Sequence, residues 1–308
     1  MRTIELGKSG LKVPAVALGC MRLGGIAQAE AEELIGSALS LGVNFFDHAD
    51  IYGGGACEEL FGKCLRSLSV RREEVFVQSK CCMQHPLGMY NLSKEHILEA
   101  VAGSLSRLGT EYLDALLLHA YDTLVEPEEV AEAFCALHAC GKVRFFGVSN
   151  MNAMQIELLQ SCLPQALVAN QLQFSLTNAA LITAGYAVNK WDDFALDRTG
   201  GALDYCRLKH ITIQPWSPFQ HGIFQGSFVG DREKFPALNL ALDELAEKYS
   251  ATPTAIALAW ILRHPAKMQP IVGTMHLARL RECVRATEIQ LERADWYRLY
   301  NAAGYPIY

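Results

Sequence analysis

The chain has 308 residues, 51% hydrophobic and 19% charged, a balance that suits a globular protein with a sizeable core and excludes a disordered one. Lysine and arginine number 27 against 33 aspartates and glutamates, a formal charge of -6, so nothing in the electrostatics invites nucleic acid or an anionic membrane. The longest apolar run, 254–262, is far short of the roughly 20 residues of a spanning helix, and the opening MRTIELGKSG has no signal-peptide core.

In chain order, segments 3–6 and 11–13, joined across 8–10, read as a β-hairpin. Short apolar runs then recur at 16–18, 43–47, 75–79, 113–119, 143–149, 167–171, 211–216 and 268–273. Such runs suit strands buried on both faces of a parallel sheet. Between them lie stretches of helical length and spacing at 29–41, 58–68, 93–108, 128–139, 238–249, 254–263 and 280–286. Ser93 is placed to cap one and Gly109 to end it, Gly141 ends the next, and Asn152 opens another that stops before Pro164. Residues 293–303 form a final helix. Eight strand–helix alternations with no linker or change of composition predict one α/β domain over 1–308, a (β/α)8 TIM barrel. The hairpin is expected to plug its bottom. A doubly wound open sheet is the alternative. The ten cysteines are scattered without a C-x-x-C pair, which points to reduced thiols and a cytoplasmic setting.

Catalytic groups of such barrels stand at the C-terminal ends of strands. Asp47 ends the second run, with Tyr52 in the loop that follows. Lys80 ends the third, His119 the fourth, Ser149 and Asn150 the fifth, Asn170 and Gln171 the sixth, Trp216 and Ser217 the seventh, Gly273 and Thr274 the eighth. A buried lysine beside an aspartate stays charged, and a phenol beside that ammonium is expected to fall from its usual value of about 10. Such a tyrosine can protonate a carbonyl oxygen as hydride reaches the carbon, while a neutral histidine polarises the same oxygen. Singly, each residue has a plainer reading: a structural ion pair, a surface tyrosine in IYGGG, a core histidine. Their convergence on one rim favours chemistry. His48 and Asp50 have H-x-D spacing but no companion ligand motif, so no metal is expected. No G-x-G-x-x-G occurs, since Glu58 stands where the third glycine belongs, and no Walker loop or G-x-S-x-G elbow is present.

VNFFDHADIYGGGACE (43–58), VFVQSK (75–80), YLDALLLHAYD (112–122), GKVRFFGVSN (141–150), NQLQFS (170–175) and IQPWSPF (213–219) together resemble the aldo-keto reductase superfamily, in order along nearly the whole chain. The nearest resemblance is to bacterial aldo-keto reductase-type oxidoreductases. It implies an enzyme that passes hydride from a nicotinamide cofactor to a small aldehyde or ketone. Tyr52 matches the general acid, Lys80 and Asp47 the pair that tunes it, His119 the residue that orients the carbonyl. Ser149, Asn150 and Gln171 match groups around the nicotinamide carboxamide, and Trp216 an aromatic stacked on the ring. Ser217, Pro218, Phe219 and Gly222 match a loop over the pyrophosphate. Met21 and Arg22 match a segment near cofactor and substrate. In the adenine-end stretch GTMHLARLREC, Thr274, Arg279 and Glu282 match family positions, with Met275 among them, while Gly273 and Cys283 stand where lysine and asparagine are common. Arg279 favours NADP(H), and the missing lysine leaves NAD(H) open. A non-catalytic nicotinamide-sensing subunit is the competing reading, and a metal-dependent barrel hydrolase lacks its ligand motifs.

The substrate pocket is expected to be walled by residues 82–90, the long 174–201 loop, the 219–236 loop and the short tail after Gly304 that ends at Tyr308, with Trp191 and Phe194 either folded inward over it or forming a small satellite core. The cysteines read as reduced core residues, with Cys81 and Cys82, just past Lys80 and near the mouth, as the candidates for a reactive thiol.

Overall fold

Eight short strands run in parallel: β1 (Ala17–Gly19), β2 (Phe45–Asp47), β3 (Phe76–Cys81), β4 (Leu113–Leu118), β5 (Val143–Ser149), β6 (Leu167–Gln173), β7 (Thr212–Trp216) and β8 (Ile271–Val272). This computed structural model describes all residues except 85, 192, 223, 224, 306 and 308, and the side chain of Phe194. Strands adjacent in sequence are adjacent in space, and β8 returns to pair with β1 through Ile271 with Ala17 and Val272 with Leu18. Between β7 and β8 the Gln269 N–H donates to the Ile213 carbonyl at 3.0 Å, which draws the sheet into a nearly closed barrel. The apolar runs form strands because both faces are covered, one by the barrel interior and one by helices. Every position of β4 is buried.

The helices are α1 (Gln28–Ser40), α2 (Ala56–Ser67), α3 (Lys94–Leu108), α4 (Pro127–Ala139), α5 (Ala153–Gln160), α6 (Ala180–Tyr186), α7 (Ala202–Lys209), α8 (Pro236–Lys248), α9 (Pro253–Leu262), α10 (Leu277–Arg285) and α11 (Arg293–Ala302). Their ends follow the sequence signals. The Ser93 hydroxyl accepts from the His96 N–H at 3.4 Å to open α3, and Gly109 closes it with a left-handed φ of 65°. Asn152 and Gln155 cap α5 reciprocally at 2.9 Å. Proline occupies the first turn of α4, α8 and α9, where a missing N–H costs nothing. The last helix is fastened by tryptophans: Trp260 of α9 stacks on Trp296 of α11 at 5.0 Å, and each indole N–H donates to the other's backbone carbonyl, at 3.1 and 3.0 Å.

The hairpin of Thr3–Glu5 with Lys12–Pro14 lies across the N-terminal ends of the strands. The Gly7 N–H donates to Thr212 Oγ1 at 2.7 Å, and Gln269 Nε2 donates to the Pro14 carbonyl at 2.8 Å. Three features differ from the sequence reading. Residues 174–201 are not an uninterrupted loop, for α6 lies within them and α7 follows directly. These helices have 7 and 8 residues, too few for propensity alone to hold, and they form because Leu181, Ile182, Leu203 and Cys206 reach the core. A small antiparallel pair, Met83–Gln84 with Met89–Tyr90, rises after β3. Trp191 is fully exposed and does not fold over the barrel mouth. The expectations for Phe194 and for the tail at Tyr308 fall outside the described residues. Among the described residues no helix is long and apolar enough to cross a membrane.

Candidate active site

Asp47 is the last residue of β2, and the chain must turn sharply from there into α2. Gly53, Gly54 and Gly55 make that turn with φ of 59°, 63° and 96°, a left-handed run open to glycine at little cost. The turn carries Tyr52 back over the strand ends. It is clamped by Glu58, fully buried in the first turn of α2. One Glu58 oxygen accepts from Ser79 Oγ at 2.6 Å, the other from Arg107 Nε at 2.8 Å. Ser79 adjoins Lys80, so the clamp sets the Tyr52 turn against the lysine.

Lys80 is 0% exposed and Asp47 2%. Lys80 Nζ donates to Asp47 Oδ2 at 2.8 Å and to the His48 carbonyl at 2.7 Å, and lies 3.1 Å from the Tyr52 hydroxyl. Burial pushes the ammonium down, but Asp47 and Tyr52 outweigh it, and the net direction is upward. For Tyr52 the expected direction is overturned. Burial raises the phenol above its ordinary value, and the opposing pull of Lys80 only partly offsets this. The phenol is therefore held protonated at neutral pH. His119, following β4, stands edge-on to Tyr52, ring centroids 6.0 Å apart at 81°. Burial first, then the charge of Lys80, lowers its pKa to about 3, so the imidazole is neutral, and its Nδ1 is buried without a hydrogen-bond partner.

Two neighbours are also perturbed. His48 packs on Phe61 at 4.6 Å with both ring nitrogens unpartnered, its pKa lowered to about 3 by burial and then by Lys80. Asp50 is raised to about 7, chiefly by burial and then by Glu58.

On the far side of Asp47, Ser149 Oγ donates to the Gln171 carbonyl at 3.0 Å. Asn150 Nδ2 donates to Ser149 Oγ at 2.9 Å, and Trp216 Nε1 donates to Asn150 Oδ1 at 3.1 Å. Asn150 and Ser217 take left-handed φ of 55° and 52°. Gln171 Nε2 donates to Asp47 Oδ1 at 2.9 Å, so this group and the lysine–tyrosine pair meet on one carboxylate. Pro218 is buried, while Ser217, Phe219 and Gly222 are half-buried. Met21 and Arg22 are exposed, with Arg22 Nη1 donating to the Gly273 carbonyl at 3.3 Å. Thr274 Oγ1 accepts from the His276 N–H at 3.1 Å at the start of α10, with Met275 between them half-buried. Arg279 is exposed and Glu282 half-buried.

Cys81, Cys82 and Cys283 are core residues, and the reactive reading of Cys81 and Cys82 does not hold. Cys283 is buried in the core, its thiol pushed up to about 12 by burial. Cys81 and Cys82 are also buried and their thiols raised, Cys82 to about 11. They are not reactive thiolates. Sequence reasoning missed the partners of the site: Glu58 and Arg107, and the glutamines Gln78, Gln214 and Gln269 inside the barrel. The available signal was a glutamine set in otherwise apolar strand segments, VFVQSK, TIQPW and MQPIV.

The aldo/keto reductase family profile matches residues 15–303. The chain belongs to the aldo/keto reductase family. It is an NADP(H)-dependent aldo-keto reductase by family and by fold. It is 36% identical over 319 residues to the oxidoreductase YcsN of Bacillus subtilis, covering 100% of both chains. It is 33% identical to a 6-dehydroglucose reductase of Agrobacterium fabrum, covering 95% of each. A thermostable aldo-keto reductase solved with the inhibitor epalrestat superposes with a TM-score of 0.79 at 28% identity, over 98% of this chain and 100% of that one. The residues present fit the reductase cofactor. A Cβ added at Gly273 would meet nothing within 4 Å, so the backbone is open there. The Gln171 side-chain Oε1 takes no part in the bonds that its Nε2 makes inward to Asp47 and Gln214. Arg279 supplies an exposed guanidinium, a shape that matches a phosphate.

Proposed function

We propose that this reductase acts on a small aldehyde or ketone, with Tyr52 as the general acid. When bound, NADPH supplies the hydride to the carbonyl carbon. Tyr52 holds the proton that passes to the carbonyl oxygen, and Lys80, 3.1 Å from the phenol oxygen, stabilises the negative charge left behind. Asp47 keeps Lys80 ionised in a site that would otherwise discharge it. His119, neutral, orients and polarises the carbonyl. Asn150 and Gln171, with Ser149 behind them, would hold the carboxamide. Trp216 would lie against the ring, 217–222 over the pyrophosphate, and Arg279 toward a 2'-phosphate. Met21, Arg22, Gly273, Thr274, Met275 and Glu282 would complete the groove.

The observation that carries this reading is the bonding of Lys80 Nζ to both Asp47 and the Tyr52 hydroxyl beside a neutral imidazole. Fluorescence titration of NADPH against NADH, followed by a panel of aldehydes and ketones with the preferred nucleotide, tests it. Tyr52→Phe should lose turnover by about 10²- to 10⁴-fold and keep its nucleotide affinity. Full activity in that variant would remove the mechanism. Nucleotide binding without turnover on any carbonyl would favour a sensing subunit.

A further inference from the structure

We infer that Gln78 is a positioning residue for this reaction: with Gln214 and Gln269 it forms a buried amide relay, anchored on the bottom hairpin, that orients the Asp47 carboxylate toward Lys80. The inference rests on the reading of Tyr52 as proton donor.

Gln78, Gln214 and Gln269 are all fully buried, where barrel interiors ordinarily hold branched apolar side chains. A buried primary amide is costly unless its donors and acceptor are matched, and here each amide's orientation is set by the next. Gln269 Nε2 donates to the Pro14 carbonyl at 2.8 Å. A carbonyl only accepts, so Gln269 must turn its own oxygen inward. That oxygen accepts from Gln214 Nε2 at 2.9 Å, and the same nitrogen donates to Gln78 Oε1 at 3.2 Å. Gln78 is thereby left with its NH2 facing Gln214 Oε1 at 2.9 Å and Asp47 Oδ1 at 2.6 Å. The carboxylate, like the Pro14 carbonyl, only accepts, so donation runs outward to both ends from the Gln214 amide nitrogen, and each glutamine has one amide orientation that satisfies its neighbours. With Oδ1 held by Gln78 and Gln171, Oδ2 is presented to Lys80 at 2.8 Å. The hairpin at one end of the barrel thus fixes an amide orientation that is read at the other.

The test compares Gln78→Met, Gln214→Met and Tyr52→Phe in the full chain, using NADPH and the best aldehyde of the panel. Gln78→Met should lower kcat about tenfold, the worth of one hydrogen bond to a charged group, leaving KM for the aldehyde and the NADPH Kd unchanged. Lys80, Asp47, Cys20 and His119 face the Tyr52 phenol, and of these the variant touches Asp47. With one donor fewer, Asp47 exerts more negative potential on the phenol, so the alkaline limb of kcat should move upward. Gln214→Met, which does not touch Asp47 but frees the Gln78 amide to turn over, should give a smaller loss in the same direction. If Gln78→Met does not fold, Gln214→Met decides. Wild-type kcat and an unmoved alkaline limb in a folded variant, beside an inactive Tyr52→Phe, would overturn the relay alone. An active Tyr52→Phe would overturn the proton-donor reading and the relay with it.

Discussion

Two influences of opposite sign act on the phenol of Tyr52. Desolvation opposes its anion, and the Lys80 ammonium at 3.1 Å favours it. Burial prevails, so the proton is retained through neutral pH. On the proposed mechanism carbonyl reduction draws on that proton, and activity should fall as pH rises through the Tyr52 value, which lies above that of a free phenol near 10. His119, held at about 3, should contribute no acid limb near its ordinary 6.5. A kcat–pH profile for carbonyl reduction checks both points, and an alkaline limb near 7 or 8 would contradict the first. Direction of shift was the one catalytic property that reasoning from residue types reversed. The positions of Asp47, Tyr52, Lys80 and His119 follow from a rule about strand ends, whereas the shift depends on how much water the surrounding chain removes.

Among the elements, α2 has the largest bearing on the site, because it begins just after the Tyr52 turn and is pinned by Glu58. Glu58 is fully buried, and its charge is met by Arg107 of α3 and the Ser79 hydroxyl of β3. Arg107→Ala would leave that carboxylate buried and short of its cation, at a cost of about 3 kcal/mol. Urea denaturation should show that loss, and because the same carboxylate steadies the turn, kcat should fall as well. Unchanged stability would mean that Glu58 finds another partner. The helices legible in sequence, α1 to α5 and α8 to α11, carry caps, prolines or a long apolar stripe. α6 and α7 have neither length nor strong caps, so their existence rests on contacts with the core that no local pattern announces.

For the whole molecule, the buried histidines should shape the acid side of the stability profile. His48 and His119 are held at about 3 and His264 at about 4, against about 6.5 in the unfolded chain. Between those values the unfolded state binds more protons, so stability falls as pH drops below 6.5. Asp50, raised to about 7, works in the opposite sense, since its contribution is full below about 4 and lost as pH rises through 7. The histidines outnumber it, and Tm should climb from pH 4 to pH 6.5. The climb should be shallower in His48→Phe, which keeps a ring against Phe61. An equal climb in both proteins would place the acid sensitivity elsewhere.

The amino-acid sequence by itself determined the alternation of strands and helices, the barrel they close, the bottom hairpin, and the four residues at the strand ends. Those features follow from backbone periodicity and from which residue terminates each strand, both of them local properties of the chain. Only the tertiary structure decided the direction of the Tyr52 shift, the raised thiols of Cys81 and Cys82, the exposure of Trp191, and the glutamine network that links Asp47 to strands far along the chain. Each of these depends on desolvation or on contacts between residues as far apart as Gln78 and Gln214, 136 positions along the chain. Folding alone brings such groups to bonding distance, and with water excluded around them their mutual orientation governs the energy.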